Sequence, residues 1–515
     1  MTARPFDPKL IDGISVAGLV DHWATVCADE VFLIDPVSGN ELTFSALQTQ
    51  CVDLANCLHA MGLSRGDSVG YALPNGLDAA KIILGILYGG FCATAVNLVS
   101  GKNTISYVIE HSEAKVVFVD ETTDKLVRES VGERISDIKL LSLTDLAPLD
   151  QPTVFEVPRA DEDALLMYTS GTTGVPKGVV HSHRSLLAGG GNSAFAHGLT
   201  SADRGLCVLP LYHINGLCVT LMGALASGGS LVMPHRFSVS TFWETIRVHQ
   251  CSWFSVVPTQ ISYLLHEDGE DKKGFKPIEG LRFGRSASAP LSPDVQQAFE
   301  DKFSIPIIET MGLTETAAQI LSNPMHGMRK IGSPGVPYGN EVIIGDEQQK
   351  ECARGTEGEV LVRGSNVMQR YRNNPLATQD AITPEGWLRT GDLGRMDEDG
   401  YVFITGRLKE LIIKGGENIA PREIDEALYS HPDVIEAAAF ACDCPKYGQR
   451  VEAGVKVRAG STLNSRTLIA ICAEKIGPFK APDIIHFFPE LPKGPSGKIQ
   501  RLKLAEMAAE QEKVA

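Results

Sequence analysis

Short runs rich in β-branched and aromatic residues alternate with stretches of helical periodicity along most of the chain. Residues 68–72, 115–119, 206–210, 230–233 and 253–257 read as strands, and 44–61, 76–88, 242–249 and 293–302 as helices between some of them. That alternation predicts parallel sheet covered by helices on both faces. The most apolar early stretch, 82–96, is too short to span a bilayer, which takes roughly 20 residues, and reads as a buried helix followed by a strand. From about residue 355 the pattern changes to short strands parted by turns, at 358–363, 386–389 and 401–404, as in a small β subdomain. A further break comes at GRLK, 406–409. Beyond it lies a compact unit with a helix at 421–430 and strands at 435–442 and 452–457.

The expected architecture is therefore α/β. A large N-terminal domain of several subdomains, built on mostly parallel sheets plus a small β unit, occupies 1–408. A small α+β domain occupies 409–515. A length of 515 residues exceeds what one hydrophobic core usually serves, which agrees with that division.

Composition narrows the partners. The net charge is −16 and the pI about 5.3, and so acidic a surface argues against nucleic acid or an anionic membrane. The 11 cysteines are scattered, with only Cys442 and Cys444 close together and no second pair at zinc-ligand spacing. A reducing cytoplasm is the expected compartment. The first residues lack a signal pattern and the last carry no retention signal. An α/β body of this size often forms dimers, so a homodimer is also expected.

The sharpest chemical signal is YTSGTTGVPKG at 168–178, after the apolar 164–167. Thr169, Ser170, Thr172 and Thr173 supply hydroxyl donors. Gly171 and Gly174 let backbone N–H groups approach an anion, and Lys177 adds a mobile cation. Pro176 precedes the lysine and no Ser or Thr follows it, so this is a phosphate loop of a kind other than Walker's.

The loop resembles the phosphate-binding motif of the superfamily of acyl-CoA synthetases, peptide-synthetase adenylation domains and firefly luciferase, and the resemblance continues in order from about residue 20 to 505. LPLYHING at 209–216 is similar to the segment whose histidine, His213, lines the acyl pocket. RSASAPL at 285–291 is similar to the loop bordering adenine and acyl group. ETMGLTE at 309–315 resembles the motif in which Thr314 contacts phosphate and Glu315 holds Mg²⁺, a carboxylate being the right ligand for a hard cation. Met311 stands where most relatives stack an aromatic ring on adenine.

The later motifs carry further implied roles. TGD at 390–392 is similar to the segment whose aspartate, Asp392, binds ribose hydroxyls, and Arg407 to the arginine that touches ribose or phosphate. Lys409 falls at the hinge about which the small domain rotates. Gly415 and Gly416 lie in the segment that faces the pantetheine tunnel. PKGPSGK at 492–498 resembles the C-terminal catalytic loop; its motif position favours Lys498 over Lys493 as the lysine that reaches the acid carboxylate and α-phosphate.

The resemblance thus implies ATP, Mg²⁺ and coenzyme A as partners of a carboxylic acid, which becomes an acyl-adenylate and then a thioester. The stretches RFSVSTFW, RSAS and SNP at 236–243, 285–288 and 322–324 look nearest to oxalate–CoA ligases and to relatives that take sulfoacetate. His213, Asn215, Arg285, Ser286, Ser288 and Gln319 would make a polar pocket for a second anionic group. The histidine expected just after Glu315 in the oxalate type is replaced by Ala318, which points toward a slightly larger acid. Arg285 is left between two roles, a grip on substrate and a structural ion pair. A medium-chain or aryl acid ligase, and a stand-alone enzyme loading a carrier protein, are the alternative readings.

Overall fold

The computed structural model describes residues 3–146, 155–169, 175–266, 275–494 and 498–514. Among these, four sheets organise the chain. The largest runs, edge to edge, through strands Val336–Pro337, Ala318–Ser322, Ile307–Leu313, Phe283–Ser286, Trp253–Val256, Arg204–Cys207, Ser230–Val232, Val31–Ile34 and Glu41–Thr43. A second has at its centre the wholly buried strands Ser68–Ala72, Cys92–Ala95 and Val116–Val119, all parallel. Buried on both faces, these strands are apolar apart from Ser68 and Thr94, whose hydroxyls bond each other at 2.5 Å.

The parallel body has antiparallel edges, for a physical reason. Strand Asp163–Thr169 turns back through a short connection into Lys177–Ser182, with Thr169 opposite Lys177. A parallel return needs a crossover of a dozen or more residues, and none is available here. The same holds for Ile307–Leu313 followed by Ala318–Ser322. There Gly312 allows a close approach, since a Cβ at that position would lie 1.9 Å from the Ala318 carbonyl oxygen.

Helices form where caps and periodicity agree. Thr43 accepts from the Ala46 N–H at the start of Phe44–Ala60, and Ser182 accepts from the Ser185 N–H at the start of His183–Ala196. The helix Leu77–Tyr88 is buried except at Asp78 and Lys81, which explains its unbroken apolar run from Ile82 onward. One apolar core joins the facing sides of the two large sheets, including Leu231, Trp253 and Phe283 of one and Val69 and Leu165 of the other. A second core lies on the other face of the largest sheet, around Phe254, Val256 and Ile307. No helix among the described residues is long and apolar enough to cross a membrane.

Several strand boundaries differ from expectation, among them Val402–Arg407 for 401–404 and Gly448–Val457 for 452–457, and two others have a clear cause. The strand expected at 206–210 is Arg204–Cys207, because its register is set by Ser230–Val232 on one side and Trp253–Ser255 on the other. The chain then leaves toward Pro210, which has no N–H to give a ladder. The strand expected at 386–389 begins only at Leu388, since Gly386 turns with φ 83°.

A small antiparallel sheet of Glu341–Gly345, Gly358–Arg363, Leu388–Met396 and Val402–Arg407 follows. After the exposed turn at 408–410, the fourth sheet begins with Ile412–Lys414 and Glu417–Ile419. Gly415 and Gly416, at φ 61° and 88°, make the two-residue hairpin turn between them, a pairing that L side chains resist. Helices Pro421–Tyr429 and Ser465–Ile476 share a core with one face of that sheet, and Arg501–Val514 covers the other through Leu504 and Ala508.

Candidate active site

Three of the expected motifs meet where the large sheets and the small terminal unit face each other. The hairpin of Asp163–Thr169 and Lys177–Ser182 carries Thr169 and Lys177 as the facing pair next to its connecting loop. Ser170, Gly171, Thr172, Thr173 and Gly174 lie outside the described residues. The Lys177 ammonium stands 4.9 Å from the centre of the Tyr371 ring. The Tyr371 hydroxyl donates to Glu315 Oε1 at 2.8 Å. The phenol is held above its usual pKa, first by burial and then by the Glu315 charge. Glu315 is further fixed through its backbone, whose carbonyl accepts from the Met368 N–H at 2.7 Å. His181 Nε2 donates to the Thr314 carbonyl at 2.6 Å. Burial pushes the His181 pKa down to about 4, so the ring is a neutral donor that holds the Thr314–Glu315 turn.

Asp392 and Arg407 are a directly opposed cross-strand pair. Arg407 Nε donates to Asp392 Oδ1 at 2.5 Å. The Asp392 carboxylate is nearly buried, with its own N–H on Thr390 Oγ1 at 3.0 Å. Lys498 keeps contact with solvent, yet it lies within the electrostatic reach of this pair. Its pKa is lowered, first by lost hydration in the cleft and then by the Arg407 cation, against the opposing pull of Asp392, Glu410 and Glu315. Lys493 is occupied elsewhere. It lies 2.7 Å from Glu436 Oε1 and donates to the Tyr263 hydroxyl at 2.8 Å, joining the small unit to the helix Pro258–His266. Lys409 sits in the exposed turn that links the two, and Gly415 and Gly416 are exposed beyond it.

The polar pocket is built on the largest sheet. Arg285 is 1% exposed. Its Nη1 donates to Asn215 Oδ1 at 2.8 Å and Ser255 Oγ at 3.2 Å, and its Nε to Gln319 Oε1 at 3.3 Å. Among the described residues it has no carboxylate partner, and Nη2 has no hydrogen bond. Burial pushes its pKa down to about 9, with a small opposing effect from Cys218. A guanidinium stays charged in the physiological range, so the lowering reports a cation without a counter-charge. Asn215, at the start of the π-helix Asn215–Met222, donates in turn to Ser288 Oγ at 3.2 Å. Ser288 itself is held at φ 75°, a left-handed conformation unusual for serine.

Asn215, Arg285, Ser288 and Gln319 are therefore brought together, with His213 at the turn just before the π-helix. Ser286 is not. It follows Arg285 on a strand, so its side chain takes the opposite face, the one on which Phe254 and Val256 pack. Met311, half-buried, packs against the apolar cluster of the small β sheet. The structural ion pair weighed for Arg285 is absent among the described residues.

Sequence reasoning passed over Ser255, His197, His181 and Tyr371. Ser255 had a legible signal, a lone hydroxyl within the apolar run WFSV at 253–256. His197 and His181 had none, because their roles depend on residues far along the chain.

Comparison with known proteins places this geometry. A model of the AMP-binding enzyme family matches residues 20–372, and a model of its C-terminal domain matches 423–498. A sulfoacetate–CoA ligase of Cupriavidus necator is 46% identical over 98% of this chain and 99% of its own length. An oxalate–CoA ligase of Arabidopsis thaliana is 32% identical over 96% of this chain and 99% of its own. The solved structure of the o-succinylbenzoate–CoA synthetase of Bacillus subtilis, with ATP and magnesium ion, superposes with a TM-score of 0.82 at 28% identity, covering 98% of this chain and 100% of that one.

Proposed function

The chain belongs to the AMP-binding enzyme family, and from that premise we propose that it is an ATP-dependent acid–CoA ligase whose acid is short and carries a second anionic group, sulfoacetate first among the candidates. The observation that carries the reading is Arg285, a buried cation with no carboxylate to neutralise it among the described residues. Removing an ion from water costs several kcal/mol, roughly, even after the protein relaxes. A fold that retains such a charge gains most from a ligand that supplies the opposite one. Polar neighbours that would suit a sulfonate or carboxylate complete the surroundings, whereas a fatty or aryl acid would call for an apolar floor. The 46% identical ligase bearing sulfoacetate in its name supports the same choice.

A carboxylate is a poor acyl donor until its oxygen becomes a good leaving group. Attack of the acid carboxylate on the α-phosphorus of ATP forms a mixed anhydride and expels pyrophosphate. The thiol sulfur of CoA then bonds to the acyl carbon, its proton is lost, and AMP departs. Negative charge crowds at the α-phosphate in the first step. In this reading Lys177, Lys498 and Arg407 would neutralise it. Glu315, with one oxygen held by Tyr371 and a fixed backbone, offers the hard carboxylate oxygen that suits the magnesium of MgATP. Glu315 would be the protein's ligand to that magnesium, and a single carboxylate would serve for an ion that arrives with the nucleotide. Asp392, next to Arg407, is suited to accept from ribose hydroxyls.

The thioester step needs the sulfur to arrive where Lys498 stands. Rotation of the 409–515 unit about Lys409 would withdraw Lys498 and bring the Gly415–Gly416 hairpin inward. The exposed turn at 408–410 supports that division of the chain. A homodimer and a cytoplasmic location belong to the same proposal, the latter supported by the absence of disulfides among the described cysteines.

The test is a panel of sulfoacetate, malonate, oxalate, acetate, benzoate and hexanoate with ATP, Mg²⁺ and CoA, reading pyrophosphate and thioester together. Turnover led by a dianionic acid with both products is expected. Turnover led by hexanoate or benzoate would overturn the substrate class, and pyrophosphate without thioester would overturn CoA as acceptor.

A further inference from the structure

Gln319 Oε1 stands between two nitrogens, Arg285 Nε at 3.3 Å and His197 Nε2 at 3.2 Å. The Arg285 Nε–H can only donate, so the amide atom facing it must be the oxygen and not the NH₂ group. That choice settles the tautomer of His197. To share the same oxygen, its Nε2 must carry the hydrogen. Burial, and next the Arg285 charge, push the His197 pKa down to about 3, so the ring is neutral. The ring packs at 5.2 Å on Phe283, and its backbone carbonyl accepts from Arg282 Nη2 at 3.2 Å, which fixes it in place.

With its oxygen doubly engaged, the Gln319 amide has its two N–H hydrogens turned the other way. Gln319 is 0% exposed. Its Nε2 has no hydrogen-bond partner among the described residues, although buried amide donors are nearly always satisfied. One residue thus sets an unpaired buried donor beside an unneutralised buried cation.

We propose that Arg285 and the Gln319 amide together form a preset hole for the distal anion of the acid, and that His197 is the positioning residue that orients it. This rests on the reading of a doubly anionic acid and goes further by naming what selects it. The chemistry recognised is a terminal oxyanion group, sulfonate or carboxylate, one or two carbons from the reacting carboxylate. An uncharged terminus would leave both donors unsatisfied, so discrimination against acetate is built in.

The experiment compares kcat/KM for sulfoacetate, malonate and acetate in the wild type, Gln319→Glu, His197→Phe and His197→Asn. The carboxylate introduced by Gln319→Glu would neutralise Arg285 from within. The ratio of each dianionic acid to acetate is expected to fall by about 100-fold. His197→Phe keeps the ring packing and removes the donor; its ratio is expected to fall by about 10-fold, with partial recovery in His197→Asn. Thermal melts and ATP binding confirm folding, and if Gln319→Glu does not fold, the two His197 variants decide. Unchanged ratios in folded variants would overturn the anion hole. Wild-type preference for acetate would instead overturn the underlying substrate reading. A larger fall for sulfoacetate than for malonate assigns the hole to sulfonate, and the reverse assigns it to carboxylate.

Discussion

Arg285 and Arg407 both stand at the edge of the proposed reaction space, but they are neutralised differently. Arg407 is partly exposed and holds Asp392 at 2.5 Å, within one antiparallel strand pair. Arg285 is buried and holds only neutral oxygens among the described residues. A cation with a resident carboxylate is electrically complete before any ligand arrives. A cation bound by amide and hydroxyl oxygens is oriented but not neutralised. The first arrangement suits a nucleotide whose own charge comes with magnesium, and the second suits a small acid whose extra charge has no other partner. The two regions also differ in how they are anchored. Arg285 is rooted in a central strand of the largest sheet. Arg407 ends the last strand before the exposed turn, and its neighbour Lys498 is carried by the small unit.

The comparison breaks most visibly at Lys498. Lys498→Ala is expected to lower adenylation, read as pyrophosphate exchange, by roughly 10²–10³-fold. Thioester formation from supplied acyl-AMP should be nearly unchanged. Equal losses in both half-reactions would mean that the small unit does not exchange roles between them.

A smaller and more selective effect is expected at the other pole. Arg285→Met should cost about 2–3 kcal/mol of transition-state binding with a dianionic acid, or roughly 100-fold in kcat/KM. With acetate the loss should vanish. A similar loss with every acid would show that Arg285 serves the fold and not the substrate.

Acid sensitivity gives the finest distinction. Burial pushes His197 and His183 down to about 3 and His181 to about 4, from an ordinary 6.5. Below about pH 6.5 the unfolded chain takes up protons that the folded chain refuses, so stability falls as pH drops toward the folded pKa values. At about pH 5.5 the loss should approach roughly 1 kcal/mol per histidine. Denaturant melts across this range should steepen for the wild type and flatten in His197→Asn. An unchanged pH slope in that variant would place the sensitivity outside the acid pocket.

Much of this was legible from sequence because it is local. The strand 68–72 coincides with Ser68–Ala72, and the helix 44–61 with Phe44–Ala60, since apolar period and the Thr43 cap act within a few residues. The motifs at 168–178, 309–315 and 492–498 mark where chemistry would sit, because donor-rich turns need particular residue types in particular order. Lys493 and Lys498 show where that reach stops. They occupy one motif, yet one is tied to Tyr263 and Glu436 and the other approaches Arg407, a difference set by the packing of the small unit on the large one.

The chain alone showed the alternation of elements, the family and the residue types of the motifs at 168–178, 309–315 and 492–498. Only the tertiary structure decided that Arg285 has no carboxylate partner among the described residues, that Ser286 faces away from it, and that His197 turns the Gln319 amide. The reason is that periodicity and capping depend on neighbours in sequence, whereas burial of a charge depends on which distant side chains converge on it. Asn215, Ser255, Gln319 and His197 come from four separate segments, and no local pattern shows that they meet.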